Sequence, residues 1–448
     1  MLWKGYAPNI RKGMTVGLLL TCLLTGCGGP GSDAANNQAA QPGVNKQKIT
    51  FWKWIPTQPQ MKDLEEEFER LNPDIDLVVK HIGESEAYFQ KLAVGLASGS
   101  GPDIIAMQVG ANANLFKSFL EPLLPYAEKT WGPGWESRFV DIALEQSRYS
   151  GADYRVIPGG LSVTPMILYN ERIFQLYKLK PPKTYEELKH ILQVLHREEP
   201  TLTPGIGIGA KDGWACRDVF LAIAGQVAPG VVNLAEHGRL PWTDARLVEA
   251  FRWWKQLVDD GIFMKDALQY PVYPQILNEF NNGRLAMMSL GSWHLGSMTR
   301  LTAGSSYDAP SRGMFPLPQL VPEGRRNVTV TVDLAWGMNN RSKHKEAVWR
   351  FIAFMALGEG QHMWTQEMLQ LLPSAANVKV DEGIMNGTSE RDALRMTVDY
   401  LEHEVSGSRE LRESDQQQTL YGVLQALAAD GITPEEAAAS MQETYEKR

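Results

Sequence analysis

Three tryptophans in this sequence stand next to the ends of predicted strands or helices, where an aromatic face can meet a ligand. Trp54 ends the run "KITFWKW", and Trp293 follows an apolar run that Gly291 breaks. Trp214 stands between Gly213 and a predicted helix, in "GAKDGWACRDVF". Each ring either covers the hydrophobic core or offers a flat apolar surface with a negative quadrupole for a ligand to stack on. The residue types alone leave both alternatives open.

Two polar side chains stand in comparable places. Gln108 follows the strand-like run "DIIAM", and its amide can both donate to and accept from a ligand hydroxyl. Asp333 interrupts the apolar run "TVTVDLAW", where a carboxylate needs a partner or solvent. Gln108 could equally be a solvated loop residue, and local backbone amides could satisfy Asp333.

The sequence lacks the motifs that are typical of several classes of enzyme. "IGIGA" lacks the lysine and serine of a phosphate-binding loop, and no G-x-S-x-G nucleophile elbow occurs. The eight histidines are scattered, and Cys216 is the single cysteine of the predicted body, so no metal site and no cofactor are expected. Carboxylates are numerous enough for a glycosidase pair, but nothing places two of them at strand ends. No catalytic residue is predicted.

The first residues read as a secretory signal. Lys4, Arg11 and Lys12 precede an apolar stretch at 14–24, which is too short for a stable membrane span. The tetrapeptide "LTGC" then ends at Cys27 and resembles the bacterial lipobox, whose cysteine becomes lipid-modified. The alternative is an ordinary cleaved signal with an incidental cysteine. Acyl chains on Cys27 would anchor the mature protein to a membrane without spanning it.

Composition bounds the rest of the chain. Residues 28–47 contain almost no large apolar side chain and are expected to form a flexible tether. The remaining roughly 400 residues exceed one comfortable core, which favours two domains. The formal net charge is −8 at pH 7, and an acidic body is a poor nucleic-acid binder.

Strand and helix signals alternate along the body. "KITFWKW", "IDLVVKHI" and "DIIAM" are strand-like, and amphipathic helical runs lie between them, which predicts parallel strands with right-handed crossovers. Ligands of such sheets bind outside the carboxyl ends of strands. Trp52 and Trp54 would share one face of the first strand, and Pro56 and Pro59 would end its pairing.

Taken in order, these segments resemble family 1 extracellular solute-binding proteins, the ABC-importer receptors that include maltose-binding protein. The matching segments are "ITFWKW", "YFQKLAVGLASGSGPDII", "LYNERIFQLYKLKPPKTYEELKHI", "WKQLVDDGI", "FNNGRLAMMSLGSW", "KEAVWRFIAFM" and "LLPSAANV". The resemblance implies an α/β fold with two lobes, the type II periplasmic-binding-protein fold, which closes over a ligand and performs no chemistry. The boundaries expected from it are signal 1–26, tether 27–47, lobe 1 at 48–160 plus 336–385, and lobe 2 at 161–335 plus 386–448.

The resemblance also implies the candidate ligand-binding residues. They are Trp54, Thr57, Glu86, Gln108, Asp212, Trp214, Trp293, Asp333 and Trp336, with Trp293 as the central one because the family's tryptophan after a glycine stacks on sugar. We expect Trp52 to belong to the core instead. Maltose-binding relatives carry a tryptophan and an aspartate where this chain has Met107 and Gly110, so maltose specificity is not carried over.

The function implied by the resemblance is that of a lipid-anchored, extracytoplasmic receptor. A monomer would capture a sugar or oligosaccharide between its lobes and deliver it to the permease subunits of an ABC importer. One alternative is a receptor for another solute, such as a polyamine or a phosphorylated compound. The other is a lipid-anchored carbohydrate-active enzyme with the same aromatic cleft.

Overall fold

The computed structural model describes residues 46–55, 58–83, 85–300 and 311–448, with the backbone alone for residues 58–60. The predicted signal, the lipidated Cys27 and nearly all of the tether therefore lie outside the described residues. So does Thr57, one of the candidate ligand contacts.

Strands and helices alternate through the described residues. The strands are β1 Gln47–Lys53, β2 Ile75–His81, β3 Ile104–Met107, β4 Val156–Thr164, β5 Met166–Asn170, β6 Met287–Leu290, β7 Arg312–Pro316, β8 Val328–Met338 and β9 Val405–Ser408. The α-helices are α1 Gln58–Leu71, α2 Ser85–Ser98, α3 Ala111–Phe116, α4 Leu124–Trp131, α5 Asp141–Ser147, α6 Glu171–Leu176, α7 Tyr185–Glu198, α8 Gly213–Val227, α9 Val231–Glu236, α10 Ala245–Asp259, α11 Leu277–Asn281, α12 Lys345–Leu357, α13 Glu359–His362, α14 Thr388–His403, α15 Ser414–Ala428 and α16 Pro434–Glu446.

The strands form two sheets. The larger has the order β2-β1-β3-β8-β4, with β9 also paired to β8, and the smaller has the order β6-β5-β7. β1 is parallel to β2 and β3, as the strand–helix alternation predicts. β8 is antiparallel to both β3 and β4, and the whole small sheet is antiparallel. The mixed pairing arises because the chain leaves the large sheet along β4 and returns to it along β8, in the opposite direction.

The pairing of β4 with β8 is irregular at its middle. Gly160 pairs with Leu334 and Leu161 with Val332, so Asp333 lies at a register shift. Such bulges re-aim a side chain out of the regular alternation. A Cβ atom at Gly159 would collide with the indole of Trp336, so a larger residue there would disturb this crossing.

Side chains cap the N-terminal ends of two long helices. The Thr184 side chain caps α7 by accepting from the amide of Glu187, and Asp244 caps α10. Thr184 and Glu187 have the spacing in sequence that predicts a capping box. The box is incomplete, because the Glu187 carboxylate accepts from the Lys183 amide at 2.6 Å rather than from Thr184. Within the described residues, no helix is both long and apolar enough to cross a membrane.

Candidate functional site

The two tryptophans at the end of β1 both face α2. The ring centre of Trp54 lies 4.8 Å from that of Tyr88 and 5.5 Å from that of Phe89. Trp52 packs against the same helix about two turns further on, where a Cβ atom at Gly95 would lie 3.0 Å from its ring. Both rings are partly buried, and Trp54 stands beyond the carboxyl end of the strand.

Trp214, Tyr273 and Trp293 form an aromatic cluster. The ring centres of Trp214 and Trp293 are 5.9 Å apart, edge to face, and Trp214 lies 6.5 Å from the near-parallel ring of Tyr273. The Nε1 of Trp293 donates a 2.8 Å hydrogen bond to the Tyr273 hydroxyl. Trp214 and Trp293 are only partly buried, so each keeps some surface for a ligand. The structure thus brings together two predicted tryptophans that are far apart in sequence.

Arg409 covers this cluster from one side. Its guanidinium lies 4.8 Å from the ring centre of Trp293 and 5.8 Å from that of Trp214, which is cation–π geometry. The residue is 3% exposed. It donates to the Asp218 carboxylate at 3.0 and 3.1 Å and to Asp333 at 3.2 Å.

A second arginine extends these contacts into a buried ion network of Arg217, Asp218, Asp333, Arg409 and Glu410. Arg217 donates to Asp218 at 2.9 Å and to Glu410 at 2.7 Å. Burial lowers the pKa of Arg409, but Asp218 and Asp333 more than offset this and hold it above its ordinary value. Burying charge is tolerated because every member of the network has an oppositely charged partner.

Gln108 and Asp333 contact each other directly. The Gln108 Nε2 donates a 2.6 Å hydrogen bond to the Asp333 carboxylate, and its Oε1 accepts from Asn112 at 3.3 Å. Asp333 therefore obtains its partners from two distant side chains, Gln108 and Arg409, rather than from local backbone amides. Gln108 is correspondingly part of a network rather than a freely solvated loop residue.

Asp212 and Glu86 supply carboxylates beside the aromatic residues. Asp212 precedes α8, and its carboxylate accepts from the Val272 amide at 2.8 Å. Burial raises the pKa of Asp212, and the negative charge of Glu86 adds to the rise. Glu86 is exposed in the first turn of α2, the helix that carries the contacts of Trp54.

The structure corrects the assignment of Trp336 to the cleft. This residue is 1% exposed, and its ring packs edge-on against Phe51 at 5.8 Å, Phe351 at 5.7 Å and Trp364 at 6.2 Å. Asp333 lies at the register shift of β8, whereas Trp336 lies beyond it and pairs with Ala106 and Ile157. Trp336 is therefore a core residue.

A separate cavity of about 750 Å³ opens between α7, α10 and residues 319–322, with Tyr185 and Trp253 in its lining. None of the candidate ligand-binding residues that the structure describes lies in it. We place the candidate site at the aromatic cluster instead, because Trp214 and Trp293 meet there. Arg409 connects their rings to Asp333, which Gln108 also contacts. In the described part of the chain, no group of three or more histidine, cysteine, aspartate or glutamate residues could hold a metal ion.

Sequence reasoning missed Arg409, Tyr273 and Asp218. A signal for the charged residues was present, since Arg217 and Asp218 interrupt the apolar helix "WACRDVFLAIAG", and charges in such a stretch need partners. Which residues those partners are could not be read from the sequence, because Arg409 lies 191 positions from Asp218. No comparable signal marks Tyr273.

Solved structures with this architecture are two-lobed α/β binding proteins. The GacH receptor of Streptomyces glaucescens, solved unliganded and with acarbose, is 20% identical with a TM-score of 0.71, covering 90% of this chain and 98% of that one. An ABC substrate-binding protein of Listeria monocytogenes in complex with cycloalternan is 18% identical with a TM-score of 0.72, with the same shares covered. The maltose-bound MalE3 of T. maritima is 18% identical with a TM-score of 0.72, covering 90% and 99%.

These likenesses define the fold as the two-lobed one expected from the sequence. The family model described as bacterial extracellular solute-binding protein matches residues 30–362, which is most of the chain. This chain belongs to the bacterial extracellular solute-binding protein family.

Proposed function

We propose that this protein is the substrate-binding lipoprotein of an ABC importer and that it captures a sugar or oligosaccharide. The observation that carries the proposal is the partly exposed pair Trp214 and Trp293, with hydrogen-bonding side chains close by. A pyranose presents C–H groups on its face and hydroxyls at its rim, so it matches an aromatic surface bordered by polar groups. Structures of the same fold contain acarbose, cycloalternan and maltose, which are all carbohydrates.

The proposed contacts divide into rings and polar groups. Trp293 is the central stacking surface, and Trp214 and Trp54 are further ones. The hydrogen-bonding candidates are Glu86, Gln108, Asp212 and Asp333, with Thr57 retained from the sequence. Because Asp333 is 6% exposed and held by Gln108 and Arg409, we expect it to act mainly by orienting Gln108.

The proposed mechanism is closure of two lobes around the ligand. The lobes are assigned as in the sequence-based boundaries, with residues 48–160 and 336–385 in one and residues 161–335 and 386–448 in the other. Stacking and hydrogen bonds that form only when both lobes touch the sugar favour the closed state, and a ligand shifts the equilibrium by its difference in affinity for the two states. The closed protein would then dock on the permease and release the sugar unchanged.

A thermal-shift screen of the purified protein tests the proposed ligand class. The saccharide panel contains maltose, acarbose, stachyose, cycloalternan and chitin oligosaccharides, and spermidine and glucose 6-phosphate represent the alternative solutes. A saccharide at 100 times its Kd should raise the unfolding free energy by about 2.7 kcal/mol and so raise Tm. A rise with spermidine or the phosphate alone would overturn the sugar proposal.

Recovery of the ligand tests whether binding is the whole activity. After prolonged incubation with each saccharide that binds, chromatography should return it intact. A cleaved or transferred product would favour the carbohydrate-active enzyme instead.

The proposed anchor is tested separately at Cys27. Wild-type protein expressed with its leader should be found in the membrane fraction and acquire radiolabelled palmitate. The Cys27→Ser variant should lose the label and appear in the soluble extracytoplasmic fraction. Cys22→Ser is the matched control, because this cysteine lies inside the apolar stretch of the signal. If Cys27→Ser keeps the label, the lipid-anchor proposal is wrong.

A further inference from the structure

Trp293 is held by a short chain of hydrogen bonds along its edge. Its Nε1 donates to the Tyr273 hydroxyl at 2.8 Å, and that hydroxyl lies 2.9 Å from the Nε2 of His294. An indole N–H can only donate, so the Tyr273 oxygen accepts from it. The second hydrogen bond, between the Tyr273 hydroxyl and the Nε2 of His294, has the hydroxyl as donor if the imidazole is neutral with an unprotonated Nε2.

The surroundings of His294 keep its imidazole neutral. The side chain is 8% exposed. Burial, together with the positive charge of Arg312, lowers the pKa of His294 to about 3. The imidazole is therefore neutral at physiological pH. The ring of His294 is also near-parallel to Tyr273, at 9° and 6.0 Å, so the two rings support each other's orientation.

One face of Trp293 is held as well. The Arg409 guanidinium lies 4.8 Å from the ring centre, and Asp218 and Asp333 fix that guanidinium with charge-assisted hydrogen bonds. A ligand can therefore stack only on the other face of the indole. The ring is constrained at its edge by Tyr273 and at one face by Arg409.

We propose that Tyr273, His294 and Arg409 are positioning residues that hold Trp293 in its ligand-binding orientation before the ligand arrives. The proposal rests on the proposed function, since it takes Trp293 as the stacking surface. Its energetic basis is preorganisation, because a side chain that is already ordered loses little freedom on binding. Tyr273 then contributes to affinity through Trp293 rather than through a contact of its own.

Removing one hydroxyl tests the edge contact. Tyr273→Phe keeps the ring and deletes the link between Trp293 and His294, and we expect it to weaken saccharide binding about 3- to 10-fold. Tyr270→Phe is the matched control, because Tyr270 lies three positions away and is 39% exposed. Acarbose, maltose and chitin oligosaccharides serve as probes in calorimetric titrations of the whole protein. Equal affinities for Tyr273→Phe and the wild type would overturn the proposal.

A double-mutant cycle separates positioning from general stability. In a Trp293→Ala background the indole is gone, so adding Tyr273→Phe should change affinity no further. Additive losses would mean that Tyr273 acts independently of Trp293. His294→Gln, which keeps a hydrogen-bonding group near the position of Nε2, should bind more tightly than His294→Leu, which has none. Equal affinities of the two would contradict the role of His294.

A ligand-free measurement keeps this inference separate from the proposed function. The difference between the near-UV circular dichroism of the wild type and of Trp293→Ala gives the signal of Trp293 in its fixed environment. Tyr273→Phe should reduce that signal, and Tyr270→Phe should leave the tryptophan bands unchanged. If no saccharide binds, the proposed function fails, while the dichroism still tests the fixed indole. If the signal persists in Tyr273→Phe, the positioning proposal fails whatever binds.

Discussion

The Gln108 amide donates a 2.6 Å hydrogen bond to the carboxylate of Asp333, a residue 225 positions further along the chain. Gln108 follows β3, and Asp333 lies at the register shift of β8. Asp333 in turn accepts from Arg409, whose guanidinium covers Trp293. One carboxylate therefore connects the end of the central strand β3 to the aromatic cluster. A substitution at Gln108 can thus alter the position of the Arg409 guanidinium, and a substitution at Arg409 that of the Gln108 amide.

Trp293→Ala should weaken saccharide binding at least tenfold, or about 1.4 kcal/mol, because it removes the central stacking surface. Isothermal titration with a saccharide identified by the thermal screen measures the change. Trp253→Ala is the matched control, since Trp253 is also partly buried but lines the separate cavity. A loss below about 0.5 kcal/mol for Trp293→Ala would show that this residue is not the central contact.

Trp54→Ala and Trp52→Ala should have different effects although both rings pack on α2. Trp54 stands beyond the end of β1, so its removal should mainly weaken ligand binding. Trp52 pairs within β1 and packs against Gly95, so its removal should mainly lower the unfolding free energy, by about 2–4 kcal/mol. Chemical denaturation and ligand titration of both variants provide the comparison. Equal effects of the two on affinity would contradict the division.

Trp336→Ala should destabilise the protein by about 3–5 kcal/mol, because it leaves a large cavity among Phe51, Phe351 and Trp364. The folded fraction should bind ligand nearly as tightly as the wild type. Urea denaturation measures the first effect, and titration at low temperature the second. A selective loss of affinity with normal stability would show that Trp336 contacts the ligand and is not a core residue.

Arg409→Leu should lower the unfolding free energy by about 3–5 kcal/mol, because Asp218 and Asp333 remain buried and charged after losing this partner. Adding Asp333→Asn should recover part of the loss. Arg325→Leu is the control, since its ion pair with Glu404 is on the surface and should contribute about 1 kcal/mol or less. Denaturant midpoints that fall equally for the two single variants would argue against a buried network.

Glu236 should make stability depend on pH. Burial raises the pKa of Glu236 to about 7, against the opposing effect of the Arg412 amide that donates to it at 2.8 Å. The folded protein thus binds this proton more tightly than the unfolded chain does. Its stabilising contribution is full below about pH 4.5 and is lost as the pH rises through about 7.

Glu236→Gln should remove this dependence. Relative to the variant, the wild type should lose about 3 kcal/mol of unfolding free energy between pH 4.5 and 8, as measured by denaturation at several pH values. Glu128→Gln, at an exposed position, is the control. Parallel stability profiles for wild type and Glu236→Gln would contradict the raised pKa.

Local features of the sequence could be predicted because their causes are local. The side chain of Thr184 caps α7 by bonding an amide three residues away, and the βαβαβ alternation fixed the parallel pairing of β1 with β2 and β3. Trp52 and Trp54 share a face because alternation in a strand is a property of the backbone. The family, too, follows from the order of such segments along the chain.

Contacts between distant residues were decided only by the tertiary structure. The sequence showed that Asp333 needs a partner, but the partners Gln108 and Arg409 depend on the register of β8 against β3 and β4. The tertiary structure likewise decided that Trp336 is buried in the core. Alternation along a strand determines which residues share a face, but it does not determine which face is buried. The sequence by itself therefore determined the family, the capped helices and the tryptophans at strand ends. The fold decided that Trp214 and Trp293 meet, since residues 79 positions apart become neighbours only when the chain has folded.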